Sequence, residues 1–202
     1  LSFTTIMNQG DYINIIIKSV LSSILLGAVL AIIVLALFLK DIRPTIVVAF
    51  SIPFSVLFAI IIMYFTGINI NVMSLAGLCL GIGMLVDNSI VVMENIYRFR
   101  NEGMSASKAA VRGTAQVAGP ILASTITTIC VFLPMVYTSG MVSQLLMPFA
   151  FTISYALIAS LLVALTVVPT MGSVLLRKTK DVKQPWFDKI KDVYGKVLEL
   201  AL

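Results

Sequence analysis

The sequence predicts an all-α membrane protein: five transmembrane helices followed by a cytoplasmic amphipathic surface helix. Three observations predict it. Of the 202 residues, 59% are hydrophobic and only 11% are charged, whereas soluble domains carry about 25% charged residues. This composition excludes a water-soluble enzyme, and it is the reverse of the polar composition of disordered chains. Uncharged windows recur at the length needed to cross about 30 Å of hydrocarbon, which takes about 20 residues as a helix. Finally, the polar breaks between those windows place nearly all basic residues on one side of the membrane.

The first uncharged window covers 19–39 and is closed by Lys40-Asp41-Ile42-Arg43-Pro44. From Pro44 to Val86 there is again no charge, but 43 residues are too many for one crossing. The turn formers Thr66-Gly67-Ile68-Asn69-Ile70-Asn71 divide that run. Span two is therefore expected at about 44–65 and span three at about 71–97. A polar connection over 98–112 follows, with a short helix expected after Ser105 as N-cap. The next 64 residues, Gly113 to Leu176, are uncharged and break at Thr138-Ser139-Gly140. Span four is expected at about 119–137, with Pro120 in its first turn, and span five at about 147–176. Beyond Pro185, apolar residues recur at helical spacing from Trp186 to Ala201, with Lys and acidic residues between them. That pattern predicts an amphipathic helix on the membrane surface, so 177–202 forms a linker and surface helix.

With five crossings, Lys40 and Arg43, four basic residues in 98–112 and seven in the tail share one side, 13 of the 14 Lys and Arg. The positive-inside rule makes that side cytoplasmic, with residues 1–18 outside. The net charge of +5 follows from these loops and implies no nucleic-acid partner. The chain reads as part of a longer protein.

Asp87 stands out as an acid near the middle of span three, where a carboxylate costs about 2.5–3.5 kcal/mol on insertion scales. On the helical wheel, Gly83, Ile90, Val91, Glu94 and Arg98 lie within about 60° of it. A second stripe joins Ser74, Gly77, Gly81, Asn88 and Asn95. Gly77 and Gly81 form GxxxG and, with Gly83, are expected to admit close helix packing. Leu78, Leu85, Val92 and Ile96 lie opposite, facing lipid or packed apolar neighbours. A carboxyl moved between a dry setting, which disfavours the anion, and one with water or a cation, which favours it, loads and releases a proton. Asp87 is either such a carrier or a structural polar group. Glu94 and Arg98 have the i,i+4 spacing of an interfacial ion pair. The hydroxyls of Ser124, Thr125, Thr127 and Thr128 either bond back to their own helix or line a wet path beside Asp87. The chain has no histidine and no GxxxxGK[ST], and Cys79 and Cys130 sit in apolar runs as free thiols. No enzyme activity, cofactor or metal site is expected.

Gly81-Ile82-Gly83-Met84-Leu85-Val86-Asp87-Asn88-Ser89-Ile90-Val91-Val92-Met93-Glu94-Asn95-Ile96 resembles the fourth transmembrane helix of resistance–nodulation–division (RND) efflux transporters of the hydrophobe/amphiphile branch. Ser124-Thr125-Ile126-Thr127-Thr128 with Val131-Phe132-Leu133-Pro134 is similar to the fifth helix, and Lys40-Asp41-Ile42-Arg43-Pro44 to the second-to-third connection. The resemblance implies helices 2–6 of the first repeat of a twelve-helix bundle, with 1–18 leaving an external porter region. It implies a trimeric drug/proton antiporter in the bacterial cytoplasmic membrane, whose amphiphilic substrates bind outside this segment. Asp87 matches the relay aspartate, with Asn88, Glu94, Thr127 and Thr128 as adjacent polar groups. The family often has a second aspartate where this chain has Asn88, which carries no proton. The relay lysine belongs to the second repeat. A protein-export subunit of the same superfamily and a non-transporting sterol- or lipid-sensing domain are the alternatives.

Overall fold

The structure, a computed structural model, describes residues 9–39 and 42–178. Residues 1–8, Lys40, Asp41 and 179–202, and with the last the expected tail helix, lie outside the described residues. Five helices follow one another: α1 (Gln9–Leu39), α2 (Ile42–Phe65), α3 (Val72–Asn101), α4 (Ala106–Val136) and α5 (Met141–Leu175). A 3-10 turn, Leu176–Lys178, ends the described chain. No strand occurs among the described residues. Four helices there, α2 to α5, are long and apolar enough to cross a membrane. The shortest, α2, has 24 residues and so extends about 36 Å, more than the hydrocarbon thickness.

The turn between α2 and α3 forms where the sequence places its turn formers. Gly67 has φ 72°, a left-handed conformation in which a Cβ would collide with its own backbone. The Thr66 hydroxyl donates to Ile62 O at 2.9 Å, closing the end of α2. Asn71 and Ser74 then start α3 with a reciprocal capping box: Ser74 N donates to Asn71 Oδ1 at 2.8 Å and Asn71 N to Ser74 Oγ at 2.7 Å. At the other end of α3, Arg100 gathers three carbonyls. It donates to Met104 O and Leu176 O at 3.0 Å and to Arg177 O at 3.4 Å. A cation is favourable at the end of α5, where the last carbonyls have no helical partner.

α3 is the hub. It contacts the other four helices, most extensively α5. Its Leu78, Leu85, Val92 and Ile96 are buried. They join a core with Val47, Val48 and Ile52 of α2, Ile121 of α4, and Ala156, Ala159 and Val168 of α5. The stripe left open to lipid or protein on the wheel thus packs against protein.

The short helix expected after Ser105 and the separate span beginning near 119 are one helix. Ser105 holds the N-cap position without a side-chain bond, and Pro120 lies about halfway along α4 instead of in a first turn. The polar stretch continues helically because it is held on α3. Asn95 Nδ2 donates to Gly113 O at 2.7 Å and to Gln116 Oε1 at 3.1 Å. Gly113 lies so close to α3 that a Cβ there would come within 2.9 Å of Ile96 Cα. Pro120 removes one backbone donor, which these contacts outweigh.

Candidate functional site

Successive residues of a helix step by about 100°, so α3 presents different faces at neighbouring positions. Along one face run Leu80, Gly83, Asp87, Val91, Glu94 and Arg98, all exposed within this chain. Along another run Gly77, Gly81 and Asn95, buried against α4 and α5, with Asn88 half-buried between them.

Small residues shape the packed face. A Cβ on Gly77 would come within 2.8 Å of Phe149 O, and one on Gly81 within 2.7 Å of Ala156 Cβ. Both glycines let α5 approach α3 closely. Gly83, grouped with them from sequence, does not: a Cβ there would meet nothing within 4 Å. It lies on the Asp87 face, away from α5, so within this chain the packing role falls to Gly77 and Gly81.

Two turns beyond Gly81 the packed face becomes polar. Asn88 Nδ2 donates to Ser160 Oγ of α5 at 3.3 Å and lies 3.5 Å from Thr125 Oγ1 of α4. Ser160, fully buried, donates in turn to Leu85 O at 2.8 Å. A buried hydroxyl needs such partners, because leaving it unpaired costs about 1–3 kcal/mol.

Asp87 makes no hydrogen bond or ion pair with any of the described residues. Its carboxyl is thus available to a group outside the described residues, to water or to a proton. Glu94 lies two turns further along the same face, about 10 Å by helical rise. The spacing of Glu94 and Arg98 suggested an ion pair, but Arg98 turns the other way. Its Nε is 3.8 Å from Glu102 Oε1 and its NH2 donates to Gln116 Oε1 at 3.0 Å.

Thr127 and Thr128 are not brought to Asp87. Their hydroxyls donate to Ala123 O at 2.8 Å and Ser124 O at 2.9 Å, within their own helix. The α4 hydroxyl that reaches the site is Thr125. The signal for it was present: Ala109, Gly113, Ile121 and Thr125 are the buried stripe of α4, spaced at multiples of four residues, and Thr127 is about 200° from Thr125. Ser160 follows Ala156 by four residues in a stretch of small α5 residues, and nothing in its immediate sequence marks it as polar contact for α3.

Comparison with known proteins finds relatives along the whole chain. The family model described as AcrB/AcrD/AcrF matches residues 1–202. The swarming motility protein SwrC of Bacillus subtilis (strain 168) is 35% identical over 209 residues, covering 100% of this chain and 20% of SwrC. The multidrug resistance protein MdtC of Escherichia coli (strain K12) is 37% identical over 177 residues, 88% of this chain and 17% of MdtC. MdtC of Enterobacter sp. (strain 638) is 33% identical over 202 residues, 96% of this chain and 20% of that protein. The chain spans about a fifth of the length of these curated relatives.

Proposed function

The chain belongs to the AcrB/AcrD/AcrF family of RND transporters and is an integral membrane protein, and from that premise we propose that it is the membrane-embedded part of a proton-driven efflux permease with Asp87 as the proton relay. The observation that carries this reading is the setting of Asp87: an acid in the middle of an apolar helix, on a face that no other described helix covers. A structural aspartate would be expected to hold a hydroxyl, amide or cation of its own repeat, and Asn88 next to it takes those partners instead.

Magnitudes support a relay. A proton crossing 100 mV delivers about 2.3 kcal/mol, the same order as the cost of about 2.5–3.5 kcal/mol for an Asp anion at a helix centre. Neutralising one carboxyl is therefore enough to bias how α3 packs against what covers its open face. That face is assigned here to a second repeat of the same pump, supplying the cation that the carboxylate alternates with a proton. The wider assignments follow the same reading: the bacterial inner membrane, residues 1–18 outside and 177–202 cytoplasmic, a homotrimer, and amphiphilic substrates expelled through regions outside this segment.

The test is Asp87→Asn in the full-length pump, followed by energised efflux of a fluorescent amphiphile. The expected loss is at least about 100-fold, the scale for removing an essential proton-transfer group. Efflux at the unaltered rate would end the relay assignment.

A further inference from the structure

Asn88 and Ser160 do more than fill space between α3 and α5. Ser160 has one hydroxyl hydrogen, and the short 2.8 Å contact commits it to Leu85 O. Toward Asn88 it therefore presents a lone pair, which asks for a donor, and the Asn88 amide supplies one at 3.3 Å. The second amide contact, to Thr125 at 3.5 Å, reaches α4. Leu85 O and Asn88 Nδ2 flank the turn of α3 that bears Asp87, so α5 grips that turn at two points through one side chain. Above the grip, Gly81 seats against Ala156. Rotation of α3 about its axis at this level would break both hydrogen bonds and drive helix backbone into α5.

We propose that Asn88, gripped by Ser160, is a positioning residue that fixes the rotation of α3 and so holds Asp87 on the open face. This rests on the relay reading above. It adds a division of labour: at position 87 a side chain with no partner among the described residues, at position 88 a neutral donor that anchors. Asn88 takes no proton itself. Its effect on transport runs through the direction in which Asp87 points.

The charged groups near Asp87 are few. On α3 they are Glu94 and Arg98. α5 is uncharged throughout, as is α4 from Gly113 onward; α2 carries only Arg43, in its first turn, and α1 Asp11 and Lys18. Arg100 lies in the last turn of α3, and Lys108 and Arg112 in the first two turns of α4; the remaining titratable side chains on the packed helices are thiols and phenols, such as Cys130 of α4 and Tyr155 of α5. Glu94 and Arg98 turn with α3, so rotating the helix alters the position of Asp87 relative to the other helices and to whatever covers the open face, and the pH dependence of transport reports it.

The experiment uses the full-length pump in proteoliposomes, with efflux of a fluorescent amphiphile measured across a range of pH and normalised to folded protein. Asn88→Leu, which removes the donor, is expected to lower the rate about tenfold, and Ser160→Ala about threefold, the scale of losing one or two hydrogen bonds. Both are expected to displace the pH midpoint of efflux by about half a unit or more, a displacement that a loss of folded protein alone does not produce. Asn88→Leu and Ser160→Ala at the wild-type rate and midpoint, with Asp87→Asn inactive, would overturn the positioning role and leave the relay intact. An active Asp87→Asn would instead remove the relay on which it rests. Should Asn88→Leu fail to fold, the milder Ser160→Ala decides: an unmoved midpoint refutes the proposal.

Discussion

Asp87 and Asn88 are neighbours in the chain, yet they belong to faces of α3 with opposite surroundings. Asn88 meets hydroxyls of two other helices, below glycines that bring α5 into backbone contact. Asp87 meets no described protein group and shares its face with Gly83, beside which a Cβ would touch nothing. The packed face holds these helices together by small residues and neutral hydrogen bonds. The open face carries Asp87, the acid of α3 to which the proposed relay role falls. Had the two residues been exchanged, the carboxylate would lie against the Ser160 lone pair and the amide would face outward with no donor or acceptor among the described residues.

After the loss of transport at Asp87, the largest expected effect is on the packed face. Gly77→Ala places a methyl 2.8 Å from a backbone oxygen that cannot move aside alone. It is expected to destabilise by about 1–3 kcal/mol, as overpacking does, and to lower the thermal midpoint of the purified full-length pump. Gly83→Ala is the control on the open face. It gains helix propensity of up to about 1 kcal/mol with no clash among the described residues, so its folded yield should match or exceed that of wild type. A reversed order would mean that the two faces are misassigned.

A smaller effect is expected where α3 meets α4. Asn95→Ala strips buried Gly113 O of its side-chain donor, while Gln116 keeps Arg98, at a cost of about 1 kcal/mol for the lost hydrogen bond. Protease sensitivity of the α3–α4 loop in the full-length pump should rise, while the pH midpoint of efflux stays at the wild-type value. Smallest of all are Thr127→Ala and Thr128→Ala. Their hydroxyls bond only their own helix, so stability should change by no more than about 0.5 kcal/mol and efflux should persist. Loss of transport in either would bring α4 hydroxyls back to the relay.

Some of this was legible in the residues and some was not. The turn at Gly67 and Asn71 and the break at Gly140 could be read because few residues tolerate those conformations or cap a helix. The acid at 87 could be read because its setting is apolar on both sides. GxxxG at Gly77 and Gly81 pointed to a close contact, and α5 makes it. Gly83 and the Thr127–Thr128 pair show what one helix's sequence lacks. It gives the spacing of a stripe, while which stripe faces a neighbour depends on the neighbour's own rotation. The same holds for Arg98, whose i−4 and i+4 acids are equally spaced and which takes Glu102 because Gln116 of α4 draws it that way. The continuity of α4 through Pro120 was hidden for a related reason: the contacts that hold it, Asn95 and Ile96 on Gly113, are about 18 residues distant in sequence.

The central claim is that the carboxyl of Asp87 itself takes up and gives back a proton during transport. Difference infrared spectroscopy of the full-length pump, stepped through the pH range in which it transports, tests this directly. The account predicts a protonated-carboxyl band that titrates in that range, is absent from Asp87→Asn and persists in Thr127→Ala. A wild-type spectrum with no such band, or one that Asp87→Asn leaves unchanged, would contradict it.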